Sequence, residues 1–283
     1  MRTLWSVLLA VILLGCAGAA GAQTISFKDV TARVVIIPEQ RSNVQVIFLK
    51  TNPRLPMKIV KLFGDTTQVQ PANWTGWFWG PRAVCDSRDE HPDVTVPGVG
   101  DIDYDDLPQI AVRVPMDARV DAGGAIYGSV GRSRSLHLNI GGCGDWTLAN
   151  VQNELKVQYA GSGRLHTGSA GKMTLQIAGA ATVTTTEVEN GLAVNIAGVG
   201  NVRMRKVSGP LGVHLAGGGD VHIDDGRATT MAVHIAGSGN VDYGGTADSL
   251  DANIAGSGDI RAARVIGAVN KFIAGSGSVD VGP

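Results

Sequence analysis

The sequence predicts an all-β fold, a right-handed single-stranded parallel β-helix (β-solenoid) with coils of about 19 residues and an irregular β-rich N-terminal cap. Three observations support this prediction. The phrase Ile-Ala-Gly-Ser-Gly returns at a fixed spacing, starting at Ile235, Ile254 and Ile273. Apolar residues recur at fixed places after each copy. Aromatic residues make up only 5% of the chain while Gly reaches 39 residues, so the apolar mass is aliphatic, as stacked short strands require.

The repeat can be followed upstream through more than half of the chain. Its first position steps back from Ile273 in intervals of 18 to 20 residues. A fixed period of this size is the signature of a solenoid. Two weaker copies, starting at Val96 and Val120, suggest that the solenoid begins before the clear repeats. The clear copies start at Ile140, Tyr159, Ile177, Ile196, Leu215, Ile235, Ile254 and Ile273.

Within each coil, apolar residues recur 6, 11, 15 and 17 positions after the first residue. In the coil that begins at Ile196 these residues are Val202, Val207, Leu211 and Val213. A spacing of two is a strand spacing, in which alternate side chains enter the core. Equivalent strands of successive coils should pair in parallel about 4.8 Å apart, and right-handed crossovers are the default. No coil could bury its apolar face alone, so stability is shared between neighbours.

Composition and charge limit the classes of function that the chain can have. With 283 residues, 44% hydrophobic and 17% charged, the chain suits one large domain and is too apolar to be disordered. The formal net charge is −1 and no basic block is present, which argues against a nucleic-acid partner. We expect no cofactor.

The N-terminus predicts export. Arg2 precedes an apolar run over residues 4–14, and a small-x-small site ends at Ala22, so residues 1–22 read as a signal peptide. The mature chain would start at Gln23 and would be exported, without a membrane span. An alternative uses the lipobox-like segment before Cys16, which would make the protein a lipoprotein. An uncleaved anchor is less favoured because the apolar core is short for a span.

Two cysteines, Cys85 and Cys143, remain after removal of the signal peptide. In an exported protein an even pair predicts a disulfide, because the compartment is oxidising. The bridge would tie the irregular region around Cys85 to the coil that starts at Ile140, and would stabilise mainly by restricting the unfolded chain. Two buried free thiols are the alternative.

Residues 23–95 are interpreted as the cap and 96–283 as the repeats of one continuous domain. From 23 to about 70, β-forming runs are separated by Pro38, Pro53 and Gly64, and no amphipathic helix is visible. A solenoid needs such a cap because its first coil would otherwise expose an apolar end.

A Trp-rich insertion follows, with Trp74, Trp77 and Trp79 close together. Clustered indoles could form a stacking platform for sugar rings, which makes these three residues ligand-binding candidates. The alternative is that they plug the end of the solenoid, the commoner fate of large apolar rings.

Asp101, Asp103 and Asp105 alternate after Gly100 and would share one face of a strand, where carboxylates can bind calcium. The calcium loop of helix-loop-helix proteins needs Gly and Glu at positions that Asp106 and Val112 would occupy here. A solvated acidic edge is therefore favoured, and no metal site is predicted.

The glycines of the phrase are interpreted as bend residues, selected by a positive φ or by close approach of stacked backbones. Ala181 is the exception, and we expect a relaxed bend there. The Asp or Asn that often follows resembles calcium β-roll repeats, but it occurs once per coil, so a turn-stabilising side-chain ladder is favoured. The bend glycines of the last three coils are Gly237, Gly239, Gly256, Gly258, Gly275 and Gly277.

An outward polar position precedes each coil start. Such a ladder is typical of a solenoid face that stays wet or binds something extended. His214 and His234 would lie one coil apart, but no further metal ligand is evident beside them, so metal binding there is disfavoured. The residues at this position are Asn139, Gln158, Gln176, Asn195, His214, His234, Asn253 and Phe272.

The exported N-terminus, the β-rich opening and the tandem Ile-Ala-Gly-Ser-Gly-Asp/Asn-Val phrase resemble the head GIN domain family of bacterial auto-transporter adhesins. The resemblance covers nearly the whole mature chain. It implies a right-handed parallel β-helix on the cell surface or in the envelope, that is, in the periplasm or on the outer surface of a bacterium, without an established catalytic mechanism. The family's name implies adhesion.

We therefore expect a noncatalytic binding or adhesion module whose partner is a polysaccharide or an envelope protein. A purely structural envelope protein is the first alternative, with end-to-end self-association through the last coil near residues 279–281. A polysaccharide-degrading enzyme is less favoured, because such β-helices carry clustered carboxylates and basic residues in a groove, and the repeats show no such constellation.

Overall fold

The structure is a computed structural model, which describes residues 23–62, 64–73, 83–85 and 93–283. Strands dominate it, with one short 3-10 turn at Tyr104–Asp106. The predicted signal peptide, Cys16 and the Trp cluster lie outside the described residues. The strands are β1 (Gln23–Glu39), β2 (Gln45–Lys50), β3 (Met57–Lys61), β4 (Thr66–Pro71), β5 (Val84–Cys85), β6 (Val94–Val96), β7 (Gly100–Ile102), β8 (Gln109–Pro115), β9 (Asp117–Val130), β10 (Ser133–Cys143), β11 (Trp146–Leu148), β12 (Val151–Thr167), β13 (Ala170–Val188), β14 (Leu192–Gly198), β15 (Asn201–Gly217), β16 (Val221–Gly237), β17 (Val241–Ala247), β18 (Leu250–Gly256), β19 (Ile260–Val265), β20 (Val269–Gly275) and β21 (Val279–Val281).

From β9 onward the strands stack as parallel coils of about 19 residues, forming a β-solenoid of about nine turns. The sequence repeat is also the hydrogen-bonding register. Ile177 pairs with Tyr159 in the coil below and with Ile196 in the coil above. The predicted β-solenoid is therefore confirmed.

The core runs along the axis of the stack and is filled by the predicted inward positions. In the coil from Ile196, Val202, Val207, Leu211 and Val213 are all buried. Repetition of this set in each coil joins the buried residues into one continuous cluster. Burial is thus provided by neighbouring coils, as a solenoid requires.

The bends hold two columns of glycine under different constraints. Gly256 has a φ of 143°, in the left-handed region, and a Cβ there would overlap the carbonyl oxygen of Gly237 in the coil below. Gly258 lies outside the left-handed region, but its Cβ would overlap the carbonyl oxygen of Gly239. Close approach selects glycine in both columns, and backbone conformation adds to it in the first. Gly275 and Gly277 repeat the two situations one coil further on.

Ala181 replaces the second bend glycine in its coil. It is fully buried, and β13 runs through the bend without a break from Ala170 to Val188. In the next coil the strand is interrupted between β14 and β15. Strand β12 also runs unbroken through its bend, where it keeps Gly163, so the continuous strand is a property of both coils and not of Ala181 alone.

The N-terminal end of the stack is more regular than the predicted irregular cap. Strand β1 pairs in parallel with β9 along most of its length, so it forms a coil of the stack although it lacks the repeated phrase. Strands β4 and β8 pair with β1 in parallel on the other side. Antiparallel β3 and β2 then cover the edges of β4 and β8. A change to antiparallel pairing closes this end of the sheet.

The weak copy of the phrase at Val96 does not form a coil, contrary to the expectation. Strands β6 and β7 pair antiparallel, and β5 adds to them as a small separate sheet. Gly98 has a φ of 77°, and Val99 N–H donates to the Val96 carbonyl, so the segment makes a tight turn. The copy at Val120 does lie in the stack, where it pairs with Ile25 and Leu138.

Among the described residues, no helix is long and apolar enough to cross a membrane.

Candidate functional site

The outer face of one sheet of the solenoid carries two straight columns of side chains beside each inward Ile or Leu. At Ile196 these neighbours are Asn195 and Ala197, which pair with His214 and Ala216 in the next coil without a shift of register. We call the first set the outer column and the second the alanine column. The outer column is Gln158, Gln176, Asn195, His214, His234, Asn253 and Phe272, and the alanine column is Ala160, Ala178, Ala197, Ala216, Ala236 and Ala255.

Between and above these columns lies an open axial groove of about 1020 Å³. Seven coils line it, so at about 4.8 Å per coil it is roughly 29 Å long. The small methyl groups of the exposed alanine column form an apolar floor, and the larger outer column stands beside it. The repeat therefore builds a continuous trough along the solenoid axis.

Several polar groups of the outer column already have partners. The Gln158 amide Nε2 donates to Oε1 of Gln176 at 3.2 Å. The Asn253 amide Nδ2 donates to Oδ1 of Asp251 at 2.9 Å, outside the groove. The side chain of Asn195, in the middle, makes no hydrogen bond to another described residue. The central coils thus offer the freest polar groups.

His214 and His234 are stacked face to face, with ring centroids 4.7 Å apart and an interplanar angle of 2°. Parallel rings direct their nitrogen lone pairs in parallel, so the two rings as placed do not converge on one point. Within the described ranges, no group of three or more His, Cys, Asp or Glu side chains is arranged to hold a metal ion. The pair is best understood as two neighbouring hydrogen-bonding rungs of the groove.

The groove lining contains no carboxylate, ammonium or guanidinium group among its 19 residues. Charged side chains instead occupy a separate column of outward-facing residues, where Arg203, Asp242 and Arg261 stack together with His222 on successive coils. There the His222 Nδ1 lies 3.1 Å from a carboxylate oxygen of Asp242, and its Nε2 lies 2.8 Å from one of Asp224. The uncharged groove is therefore a property of this face and not of the whole chain.

A charged cluster marks the N-terminal end of the groove. One rung below Gln158 the outer position is Asn139, and below that it is Asp121. Asn139 donates to Asp121, which also pairs with Arg119 at 3.2 Å. His137 lies beside this cluster, and its pKa is lowered first by burial and then by the positive charges of Arg119 and Lys156.

Phe272 ends the outer column at the opposite extremity. Its side chain is 65% exposed, the largest exposed fraction among the large apolar residues described. The position below it is Asn253. The groove therefore changes from amide and imidazole groups to an accessible aromatic ring at its C-terminal end.

The predicted disulfide is present. Cys85 and Cys143 are bonded, with Cα atoms 5.9 Å apart, and they tie β5 of the small sheet to β10 of the stack. A second apolar cluster, which includes Val94, Ile102 and Leu107, fills the space between that sheet and the solenoid. The bridge thus holds the insertion against the stack.

Two of the aspartates considered for calcium, Asp101 and Asp105, and the neighbouring Asp106 pair with different groups. Asp101 accepts a hydrogen bond from the Thr95 hydroxyl at 2.7 Å, and Asp105 lies 3.5 Å from Arg33. Asp106 pairs with Lys50 at 3.3 Å. Such dispersed pairing fits the acidic edge that the sequence favours.

The Asp and Asn residues after the bends form a ladder of side-chain to backbone hydrogen bonds. Oδ1 of Asp220 accepts from the backbone N–H of Asn240 at 3.0 Å, and Oδ1 of Asn240 accepts from Asp259 N–H at 3.1 Å. Asp145 receives the Arg164 N–H in the same way at 2.8 Å. These oxygens satisfy backbone donors of the bends, at Asn240 and Asp259 between two strands and at Arg164 within β12, as expected for a turn ladder.

The predicted ligand-binding candidates Trp74, Trp77 and Trp79 lie outside the described residues. The sequence pointed to the outer column but missed the alanine column beside it. The alanine column was nevertheless visible in the sequence, because an Ala follows the first residue of nearly every clear copy of the phrase. Neither column alone indicates a groove, since depth arises only when the coils stack in register.

A family model described as "Putative auto-transporter adhesin, head GIN domain" matches residues 93–225 and again 207–283. The crystal structure of a "putative adhesin" from Bacteroides fragilis aligns over 92% of this chain and 91% of its own, with 14% identity and a TM-score of 0.43. That of a "putative cell adhesion protein" from Clostridium sporogenes covers 92% of both chains, with 9% identity and a TM-score of 0.24. No curated protein matches the sequence.

Proposed function

This chain belongs to the head GIN domain family of auto-transporter adhesins, and from that premise we propose that it is an exported, noncatalytic adhesion module of the bacterial envelope or cell surface. Its binding element is the axial groove. The partner is an extended polymer, either a polysaccharide or a segment of an envelope protein. Many equivalent rungs then share the binding energy.

The observation that carries this proposal is the continuity of the groove over seven coils. An enzyme concentrates its reacting groups at one place, because chemistry occurs at one bond of the substrate. Here the same outer and alanine positions recur in each coil, so the surface offers similar contacts along its whole length. A repetitive surface suits a repetitive ligand.

The noncatalytic part of the proposal is supported by the lining. Glycoside hydrolysis usually needs two carboxyl groups on opposite sides of the scissile bond. The described residues that line the groove include no Asp or Glu. A groove of this composition can hold a sugar polymer but lacks the usual acid and nucleophile or base.

The test is binding of envelope material to the immobilised full chain, measured by surface plasmon resonance. Ala216→Trp and Ala236→Trp place bulky rings on the exposed floor and should weaken binding about tenfold or more, equivalent to about 1.4 kcal/mol. Ala263→Trp is the matched control, because Ala263 is also exposed and in a strand but does not line the groove.

If Ala216→Trp and Ala236→Trp bind as tightly as the control Ala263→Trp and the wild type, the groove is not the binding element. Release of shortened products from a bound polysaccharide would overturn the noncatalytic assignment.

A further inference from the structure

We propose that the groove takes an uncharged linear polysaccharide, lying lengthwise, with Asn195, His214 and His234 as the central hydrogen-bonding contacts and Phe272 as a stacking ring at one end. This assignment rests on the proposed binding function and specifies its ligand class. It also places the principal contacts on the solenoid face rather than on the Trp-rich insertion.

Charge is the first argument. An anionic polymer, whether an acidic polysaccharide or a polyphosphate, would bring one charge per repeating unit into a trough in which the described lining residues include no Lys or Arg. Removing charges from water without a partner is strongly unfavourable. Basic side chains such as Arg203 and Arg261 lie outside the groove, in the separate column of outward-facing residues that also holds Asp242. The lining therefore fits a neutral ligand.

Hydrogen-bonding character is the second argument. Sugar hydroxyls donate and accept, and they are matched by groups that do both. An Asn amide has two donor hydrogens and an acceptor oxygen, and a neutral imidazole has one donor and one acceptor nitrogen. The side chains of Asn195, His214 and His234 have no hydrogen-bonding partner among the described residues. Three consecutive coils thus present side chains that can both donate and accept hydrogen bonds and whose hydrogen-bonding groups are unsatisfied.

The apolar floor is the third argument. The C–H faces of sugar rings are apolar and pack well on methyl groups and aromatic rings. The floor of Ala197, Ala216 and Ala236 is exposed, and these small side chains let a ring approach the sheet closely. At the end of the trough, the exposed Phe272 ring offers a face for a terminal sugar.

A peptide strand fits the same surface less well. Extended peptides bind sheets chiefly at edges, where free backbone groups await a partner. The groove lies on a sheet face, and its backbone groups are already used between coils, for example between β14 and β15. A strand along the axis would also advance about 3.3 Å per residue against about 4.8 Å per coil, so its side chains would fall out of step with the rungs.

The experiment is isothermal titration calorimetry of the full chain with defined probes. Cellohexaose, xylohexaose and maltohexaose are the uncharged linear sugars, hexagalacturonate is the acidic comparator, and a neutral Thr-Val repeat peptide is the strand comparator. At least one uncharged sugar should bind, with an affinity that changes less than about twofold over a roughly tenfold range of salt, because no charge is screened.

Two variants locate the site. Asn195→Ala and Phe272→Ala should each weaken binding of that sugar about fivefold to tenfold, equivalent to roughly 1 kcal/mol. Ile266→Ala is the matched control for Phe272→Ala, because Ile266 is 60% exposed near the same end and does not line the groove. It should bind as the wild type does.

The outcomes separate the two proposals. If envelope material binds and none of the uncharged sugars does, whether or not hexagalacturonate or the peptide binds, the ligand assignment is wrong and the adhesion function stands. If a sugar binds equally to wild type, Asn195→Ala and Phe272→Ala, the contact residues are wrong. If neither envelope material nor any probe binds, both proposals fail.

Discussion

The carboxylate of Asp259 accepts two hydrogen bonds from Ser278 in the next coil, from its backbone N–H at 2.9 Å and from its hydroxyl at 2.8 Å. These bonds lower the pKa of Asp259 below its ordinary value of 3.8, the hydroxyl bond contributing most. They extend the turn ladder to the last coil. A position that first suggested calcium chemistry is thus a connection between coils.

The first prediction concerns acid. Because the folded-state pKa of Asp259 is depressed, its contribution to stability is present above the unfolded-state pKa and is lost as pH falls through the folded-state value. Asp259→Asn keeps the acceptor oxygen but cannot titrate. Its urea midpoint should therefore fall less than that of the wild type on acidification from pH 7 to below about pH 4.

Ser278→Ala is the partner variant, since it removes the main cause of the pKa shift. NMR titration should then show the pKa of Asp259 moving back toward its ordinary value. An unchanged pKa in this variant would contradict the proposed origin of the shift.

The second prediction concerns the bend. Gly256→Ala adds a Cβ at a φ of 143° and directly against the Gly237 carbonyl, so it should destabilise the fold by about 3 kcal/mol. Chemical denaturation measures the difference. In the control Gly218→Ala the nearest atom is the Ser238 hydroxyl at 3.5 Å, an ordinary contact, so the effect should stay within about 0.5 kcal/mol. Equal stability of the two variants would rule out the steric role of the bend.

Periodicity explains how much of the fold could be predicted. Stacking, register and the inward set of Val202, Val207 and Leu211 follow from one repeated pattern, so they were accessible from sequence. The pairing of β1 with β9 was not, because residues 23–39 carry no copy of the phrase and their partner is distant in the chain. In such a case tertiary burial, rather than a local signal, selects the partner.

The candidate site shows a similar division. The outer column with His214 and His234 was visible as a row of polar residues, but its groove depends on the alanine floor and on the absence of charge from the lining. The hairpin at Val96 shows the opposite error. There a phrase that resembles the repeat forms an antiparallel hairpin with a turn at Gly98 instead of a coil. Similarity of a short phrase therefore did not ensure the same structure.

The third prediction concerns the disulfide. The bridge between Cys85 and Cys143 spans 58 residues, and restricting an unfolded loop of this size stabilises by about 4 kcal/mol in the chain-entropy model. A Cys85→Ser, Cys143→Ser double variant should therefore unfold at a lower temperature than the oxidised wild type. Calorimetry in the presence and absence of reductant makes the comparison. Reductant should lower the wild-type midpoint and leave the double variant unchanged; an oxidised wild type as labile as the variant would contradict the expectation.

The last prediction concerns the C-terminal end of the stack. Lys271 occupies an inward position, directly above the buried Ala252, and its Nζ donates to the Val279 carbonyl at 2.7 Å. Beside it Ile273 is 41% exposed, whereas its equivalent Ile254 is buried. No described strand pairs with the outer edge of β20. An inward-pointing charge is a known means of preventing an open strand edge from pairing with another molecule.

We therefore expect Lys271 to oppose the end-to-end association that the sequence suggested, and Lys271→Val should promote it. Sedimentation velocity over a range of protein concentrations should show larger species for Lys271→Val than for the wild type, because the charge at the end of the core is replaced by an apolar group. Lys271→Arg is the control, since it retains the charge and should sediment as the wild type does. If the wild type already associates as strongly as Lys271→Val, the guarding role of Lys271 is wrong and the last coil is a self-association surface.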